Sequence, residues 1–489
     1  MQKAGVVGAG IGGIATAIRL AVKGYQVTVF EANAYPGGKL SSWEAAGYRF
    51  DAGPSLFTMP QFVDELFTLA GKSSQAYFEY QKMPEVCRYF WEDGTRFVVP
   101  ANTEEFAQKA EETLGEPAEN IRGYLKDSAF KYEVLSGLFL EDSLHKVTTW
   151  TSRKAFRGYK HLAKMGVFGT MHKANQKAFK QPKTVQLFNR YATYNGSNPY
   201  ETPATMTIIP HLEYNVGAFF PKNGMYGITQ SLVKLAEDLG VQFRYQERVT
   251  EICVEAGKAT GIRTATDMYP MDVVVSNMDV TPTYRRLLPN QKQPEKILNQ
   301  AKSGSGLIFY WGIKREFKEL GLHNIFFSDN YEEEFRHQFE LKTIYQDPTI
   351  YLNITSKCKP DDAPPQSENW FILLNAPANE GQDWDTLIAK TREAILAKFQ
   401  RILGIDIAPL IETEDILDPR TIESRTSSAQ GALYGNSSNN RFAAFLRHAN
   451  FSSRIKNLYF VGGSVHPGGG IPLALSSAKI AASFVPTAS

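Results

Sequence analysis

Apolar runs in three separated parts of the chain lead into glycine and then into apolar positions at helical spacing. Ala4 to Val7 is a short apolar strand, the loop Gly8-Ala9-Gly10-Ile11-Gly12-Gly13 follows, and Ile14, Ala17, Ile18 and Ala21 recur on one face of a helix. Gly24 closes that helix as a left-handed cap, and Gln26 to Phe30 alternate as a second strand ending at Glu31. Farther on, Leu232, Leu235 and Leu239 predict a helix, Val241 to Val249 a strand, and Asp272 to Asp279 a buried-type strand ending in small polar residues. Near the end, Asn457 to Val461 runs as a strand into Gly462 and Gly463. A glycine-rich loop through His466, Gly470, Ile471 and Pro472 then opens a helix marked by Ala474, Ala478 and Ala481, and the proline suits a first helical turn.

The first of these patterns is a complete βαβ unit. Gly8 permits its tight turn, Gly10 a close approach of backbone to a pyrophosphate, and Gly13 close packing of helix on strand; Glu31, at the end of the second strand, suits ribose hydroxyls. The pattern predicts a dinucleotide site without separating FAD from NAD.

Length and composition narrow the class. A chain of 489 residues exceeds one compact core and favours two or three domains, sequential or interleaved. With 43% hydrophobic and 21% charged residues it is an ordinary globular sequence, neither disordered nor collagenous. Cys87, Cys253 and Cys358 are scattered, odd in number and without CxxC spacing, so no disulfide framework and no metal site is expected, and a reducing cytoplasm is the simplest location. The apolar run over 5–22 is broken by Arg19 and dense in glycine, which argues against a signal peptide or membrane span.

Further segments carry a resemblance. Pro36-Gly37-Gly38-Lys39, which alone reads as an ordinary glycine turn with a solvated lysine, is similar to the second phosphate and ribityl contact of the amine oxidase and carotenoid desaturase flavoproteins. The stretch Phe50 to Pro60, with Gly53, Pro54 and Ser55, resembles that family's loop beside the flavin ring. The segments at 211–288 and 457–482 keep its order and spacing. The chain is thereby identified as resembling the carotenoid/phytoene desaturase family, most closely its 1-hydroxycarotenoid 3,4-desaturase branch, on Phe50 to Pro60, Ser464 to Pro472 and Tyr434 to Asn440.

That resemblance implies an α/β fold: a Rossmann-like FAD-binding domain assembled from 1–75, 205–295 and 425–489, and a discontinuous α+β substrate domain from 76–204 and 296–424. The cofactor implied is FAD, and the contacts expected for it are Gly8, Ala9, Gly10, Ile11, Gly12, Gly13, Glu31, Gly38, Lys39, Gly53, Pro54, Ser55, Val249, Asn277, Gly462, Gly463, Gly470, Ile471 and Pro472. Val249 is carried over as an adenine contact, although it reads equally as an internal strand residue. In the last loop, the free N–H groups and positive dipole end of a helix suit the negatively charged edge of a reduced flavin.

The implied reaction is desaturation of a lipid-dissolved polyene, a 3,4-desaturation of a 1-hydroxycarotenoid, by hydride transfer to flavin. Phytoene desaturation and flavin amine oxidation are the alternatives, and a non-catalytic FAD binder is a third. No catalytic base is legible: His466 reads more simply as a structural histidine binding loop carbonyls, and Glu213 and Arg441 are weaker candidates.

Between Asp142 and Glu201 there is no acidic residue, while cations from Arg153 to Lys183 accumulate among Trp150, Phe156, Tyr159, Phe168 and Phe179. A helical membrane-facing region at about 145–185 is expected, making the protein peripheral on a lipid surface; a solvated basic face and a nucleic-acid patch compete, the latter without any accompanying nucleic-acid module. The run Glu332-Glu333-Glu334 reads as a solvated surface, and 431–448 as a loop and short amphipathic helix.

Overall fold

The computed structural model describes residues 1–440 and 447–489. A parallel sheet of five strands lies at its centre, in the order Leu458–Phe460, Val273–Ser276, Lys3–Val7, Gln26–Phe30, Gln242–Arg244. Strands from the beginning, middle and end of the chain therefore sit side by side, with Val6 opposite Val29 on one side and Val275 on the other. Burial on both faces explains why the inner strands Lys3–Val7 and Val273–Ser276 are almost entirely Val, Ala and Gly, without an alternating polar face. The helix Ile11–Val22 and the last helix, Ile471–Phe484, pack together through Ile14, Ala17, Ala478 and Ala481, all fully buried.

The predicted strand over 241–249 is two elements. Gln242–Arg244 joins the parallel sheet, and Val249–Glu255 begins an antiparallel three-stranded sheet with Lys258–Thr264 and Met268–Pro270. Gln246 breaks the run between them with a left-handed φ of 56°, a conformation no strand continues through.

A second sheet of seven strands is built from the rest of the chain, in the order Ile411–Leu417, Ser305–Ile313, Glu368–Ala376, Ile350–Ile354, His323–Phe326, Glu85–Phe90, Arg96–Pro100. Its side chains follow the two-residue period of a pleat. Leu307, Phe309, Trp311, Trp370 and Ile372 face the helix Trp384–Leu403 and pack on Ile395 and Phe399. Ile308, Phe371, Leu373 and Tyr351 point the other way, into a cavity. Each large apolar side chain buried in this layer contributes about 1.5–3 kcal/mol relative to exposure, so the sheet is a rigid wall.

The acidic run departs from expectation. Glu332 is exposed, whereas Glu334 is buried on the face of the helix Tyr331–Phe339 that also carries Tyr331, Phe335 and Gln338. Three consecutive residues on a helix cannot share a face, and here Thr349 N–H and its hydroxyl satisfy one oxygen of Glu334 at 3.1 and 2.6 Å.

No helix among the described residues is long and apolar enough to cross a membrane. The helical segment expected at 145–185 is Val147–Trp150, Arg153–Lys160 and Met171–Ala178, followed by Pro182–Asn189. Val147, Phe156 and Phe168 are 79%, 58% and 83% exposed there. Three of its cations pair with acids outside it: Lys154 with Glu141 and Asp142, Arg157 with Glu133, and Lys183 with Asp93. The short helix expected within 431–448, with Arg441, falls largely on residues outside those described.

Candidate functional site

One cavity of about 690 Å³ runs from the edge of the parallel sheet to the inner face of the second sheet. At the sheet edge two helices begin on glycine, Ile11–Val22 after Gly10 and Ile471–Phe484 after Gly470, and neither has a side-chain cap. Their first N–H groups lack intrahelical acceptors, and both ends open on this cavity.

The glycine loop is shaped for close approach. A Cβ on Gly13 would lie 2.2 Å from the carbonyl oxygen of Gly8, so the helix can press on the strand only because the side chain is missing. Ala9 and Gly13 themselves form the back of the loop rather than the wall. Gly8, Gly10, Ile11 and Gly12 line the cavity, as do Glu31, Gly38, Lys39, Val249 and Asn277.

Glu31 is buried, accepting the N–H of Ala9 at 2.8 Å on one oxygen and that of Asn33 at 2.8 Å on the other. Each carboxylate oxygen keeps a lone pair for a ribose hydroxyl. Lys39 donates to the carbonyls of Ala432 and Leu433 at 3.3 and 3.1 Å, and burial holds its amine down at about 8 against the pull of Asp279. It therefore fastens the glycine turn to the 432–433 backbone while facing the cavity.

Gly53, Pro54 and Ser55 line the middle of the cavity, and Gly462, Gly463, Gly470, Ile471 and Pro472 line it from the opposite loop. Tyr310 donates its hydroxyl to the Ala52 carbonyl at 2.8 Å, tying the 52–55 loop to the second sheet. Arg447, buried and pushed down to about 10, donates to the carbonyls of Tyr434 and Gly463 at 2.8 and 3.3 Å and braces the terminal glycine loop. His466 contacts the carbonyl of Asp142 through Nε2 at 3.0 Å, and burial lowers it to about 4, so a neutral ring donates there.

The far half of the cavity was not legible in the sequence. Its walls come from the helix Ala118–Leu140 (Tyr132, Leu135, Phe139), from Met206, Ile209 and Leu212, and from Ile308, Ile325, Phe371 and Leu373 of the second sheet. A polar patch interrupts them. Arg190 and Glu213, both buried, pair at 3.3 Å; Tyr194 donates to Glu213 at 2.8 Å, Tyr191 donates to it as well, and Arg190 donates to Tyr89 at 2.9 Å. Charge and hydroxyls at isolated positions of short helices give no periodic signal, so only Glu213 had been a candidate.

A largely apolar chamber is thus joined to a glycine-lined cradle in one cavity. Residues 11–485 match the family of flavin containing amine oxidoreductases. The chain is 52% identical to a 1-hydroxycarotenoid 3,4-desaturase of Flavobacterium sp. (strain P99-3), over 99% of both chains. It is 34% identical to a 4,4'-diapolycopene oxygenase of Methylomonas sp., covering 98% of this chain and 97% of that one, and 30% identical to a phytoene desaturase of Fusarium fujikuroi, covering 98% and 88%. Among solved structures, cyclohexylamine oxidase from Brevibacterium oxydans superposes with a TM-score of 0.62 at 14% identity, covering 99% of this chain and 98% of that one, a likeness of fold. By sequence over nearly its whole length, then, the chain belongs to the carotenoid desaturase family of flavin-containing oxidoreductases.

Proposed function

We propose that this protein is an FAD-dependent desaturase that introduces the 3,4 double bond into a 1-hydroxycarotenoid taken up from a lipid surface. The observation that carries the reading is the single cavity in which the glycine loops at both ends of the chain meet an apolar chamber. The relative that is 52% identical over the whole length bears the name of that reaction.

Desaturation removes a hydride and a proton from adjacent carbons, and bound FAD supplies the hydride acceptor. The chain's own residues bind, orient and exclude water. The Gly8–Gly13 loop and the N-terminus of Ile11–Val22 suit the pyrophosphate, Glu31 the ribose, and the 52–55 and 462–472 loops the ring. Ile308, Ile325, Phe371 and Leu373 offer a polyene a dry, rigid face, which keeps a developing cation from water.

The entry side is argued from the helix Ala118–Leu140. Tyr132, Leu135 and Phe139 on it wall the cavity, while Gly137 and Glu133 on it contact Lys154 and Arg157 of the exposed aromatic segment. One helix thus stands between the chamber and Phe156, so a polyene entering beside it would leave lipid without crossing water. We assign 1–75, 205–295 and 425–489 to the FAD domain and the remainder to the substrate domain.

Anaerobic mixing of FAD-loaded protein in liposomes with 1-hydroxylated polyenes and their parents tests the reading. Flavin bleaching together with a product whose absorbance is red-shifted is expected for the hydroxylated substrates. Reaction of the non-hydroxylated polyenes alone would move the assignment to phytoene desaturation, and a protein that takes up no FAD would overturn it.

A further inference from the structure

Besides the Arg190–Glu213 patch, the chamber wall carries a second polar chain, beside the 52–55 loop. Ser55 Oγ lies 2.7 Å from the Tyr351 hydroxyl, which lies 2.8 Å from His323 Nδ1. All three residues line the cavity. Their surroundings on the sheet are Ile325, Phe371 and Leu373, where an uncompensated hydroxyl would be costly.

Proton directions along this chain can be assigned. Asn353 Nδ2 donates to the Leu322 carbonyl at 2.9 Å, which fixes it as the amide nitrogen, and it lies 3.2 Å from His323 Nδ1. An amide nitrogen has only protons to offer, so in a ring that burial and Arg190 keep neutral we take Nδ1 as the bare nitrogen, its one lone pair shared by Asn353 and Tyr351, with the Nε2 proton buried and without an acceptor among the described residues. Tyr351 accordingly donates to Nδ1, and Ser55 donates to Tyr351. The Ser55 oxygen is left as an acceptor with no donor among the described residues, half-buried in the cavity wall.

Substrate chemistry says what that acceptor is for. In a 1-hydroxycarotenoid the oxygen is three single bonds from C3, each about 1.5 Å long. When C3 and C4 lie against the flavin ring, the hydroxyl cannot be far from it, and its binding group must belong to the loop at the ring. Ser55 follows Gly53 and Pro54 in that loop.

We propose that Ser55, oriented through Tyr351 by His323, accepts the hydrogen bond of the substrate's tertiary hydroxyl and so sets which carbon–carbon bond meets the flavin. The inference rests on the function proposed above. Tyr351 and His323 are positioning residues, since they act through Ser55. A polyene lacking the hydroxyl leaves the Ser55 acceptor dry and unpaired, which is how a site built around a hydroxyl discriminates against its absence.

The test is Tyr351→Phe and, separately, His323→Phe, in FAD-loaded protein with liposomes. The readouts are the ratio of kcat/KM for a 1-hydroxylated polyene over its parent, and the ratio in which the two polyenes partition onto the protein, read by absorbance without turnover. Both ratios are expected to fall by about tenfold or more in Tyr351→Phe, and product analysis should show desaturation no longer confined to one bond. Retained flavin absorbance in Tyr351→Phe certifies the fold; should His323→Phe lose flavin, Tyr351→Phe alone decides. Wild-type preference for the hydroxylated polyene with both ratios unchanged in Tyr351→Phe would overturn the anchor and leave the proposed function standing. Absence of any wild-type preference would overturn the function, and the anchor with it.

Discussion

Gly12, near the start of the first helix, faces Gly462, near the other end of the chain: a Cβ on Gly12 would lie 3.1 Å from Gly462 N and 3.2 Å from its Cα. Asn277 fills the angle between them, its Oδ1 2.8 Å from the Cβ position of Gly12 and 2.9 Å from that of Gly462. Three segments remote in sequence thereby close one glycine-lined cradle.

Packing this tight leaves no room for a methyl group on the first loop. Gly13→Ala places its Cβ 2.2 Å from the Gly8 carbonyl oxygen, so strand and helix must separate at a cost of about 1–3 kcal/mol. The expected outcome is protein that purifies colourless, with a lowered melting temperature; a variant with full yellow absorbance would contradict the packing argument.

The pair Arg190–Glu213 is held in the chamber wall with side chains 6% and 3% exposed. Glu213→Ala removes the acceptor of Tyr191, Tyr194 and Arg190 together and leaves a guanidinium buried without its counter-charge. Denaturant titration should show a loss of about 3–5 kcal/mol, and Arg190→Met combined with Glu213→Leu should be less destabilised than Glu213→Ala.

Burial pushes Glu334 up to about 7 from its ordinary 4.5, against the opposing effects of Thr349 and Lys398. Between those values the native state holds a proton that the unfolded chain has released. Stability from this group is therefore full below pH 4.5 and is lost as pH rises to about 7, amounting to roughly 3 kcal/mol. Melting curves of wild type and Glu334→Gln should converge at low pH, with the variant relatively more stable above pH 7; parallel curves would remove the effect.

Phe156 and Phe168 stand out from a segment that carries no acid of its own. If they enter lipid, each contributes about 1.5–3 kcal/mol. Co-sedimentation of Phe156→Ser/Phe168→Ser with anionic liposomes should fall at least tenfold while flavin absorbance is retained, and unchanged co-sedimentation would remove this surface from the membrane reading.

What local chemistry fixes could be read directly. The strand Gln26–Phe30 was predicted at its observed bounds, because its alternation ends at Glu31 and its start follows Gly24. The βαβ unit is legible because the close approach of Gly13 to Gly8 is demanded within a few residues of chain. Where backbone strain decided, the reading failed: 241–249 looked like one strand until Gln246 turned left-handed. Glu334 looked solvated because a run of three carboxylates gives no sign of its burial partner, Thr349, at the end of the loop that follows the helix.

The sequence by itself determined the first glycine loop and the two later segments that return to it, since each depends on residue types at short spacing. Only the tertiary structure decided which polar side chains share the chamber. Ser55 comes from a loop, Arg190 from a short helix, and His323 and Tyr351 from adjacent antiparallel strands of the second sheet, and contacts between segments so far apart in sequence leave no periodicity in the chain.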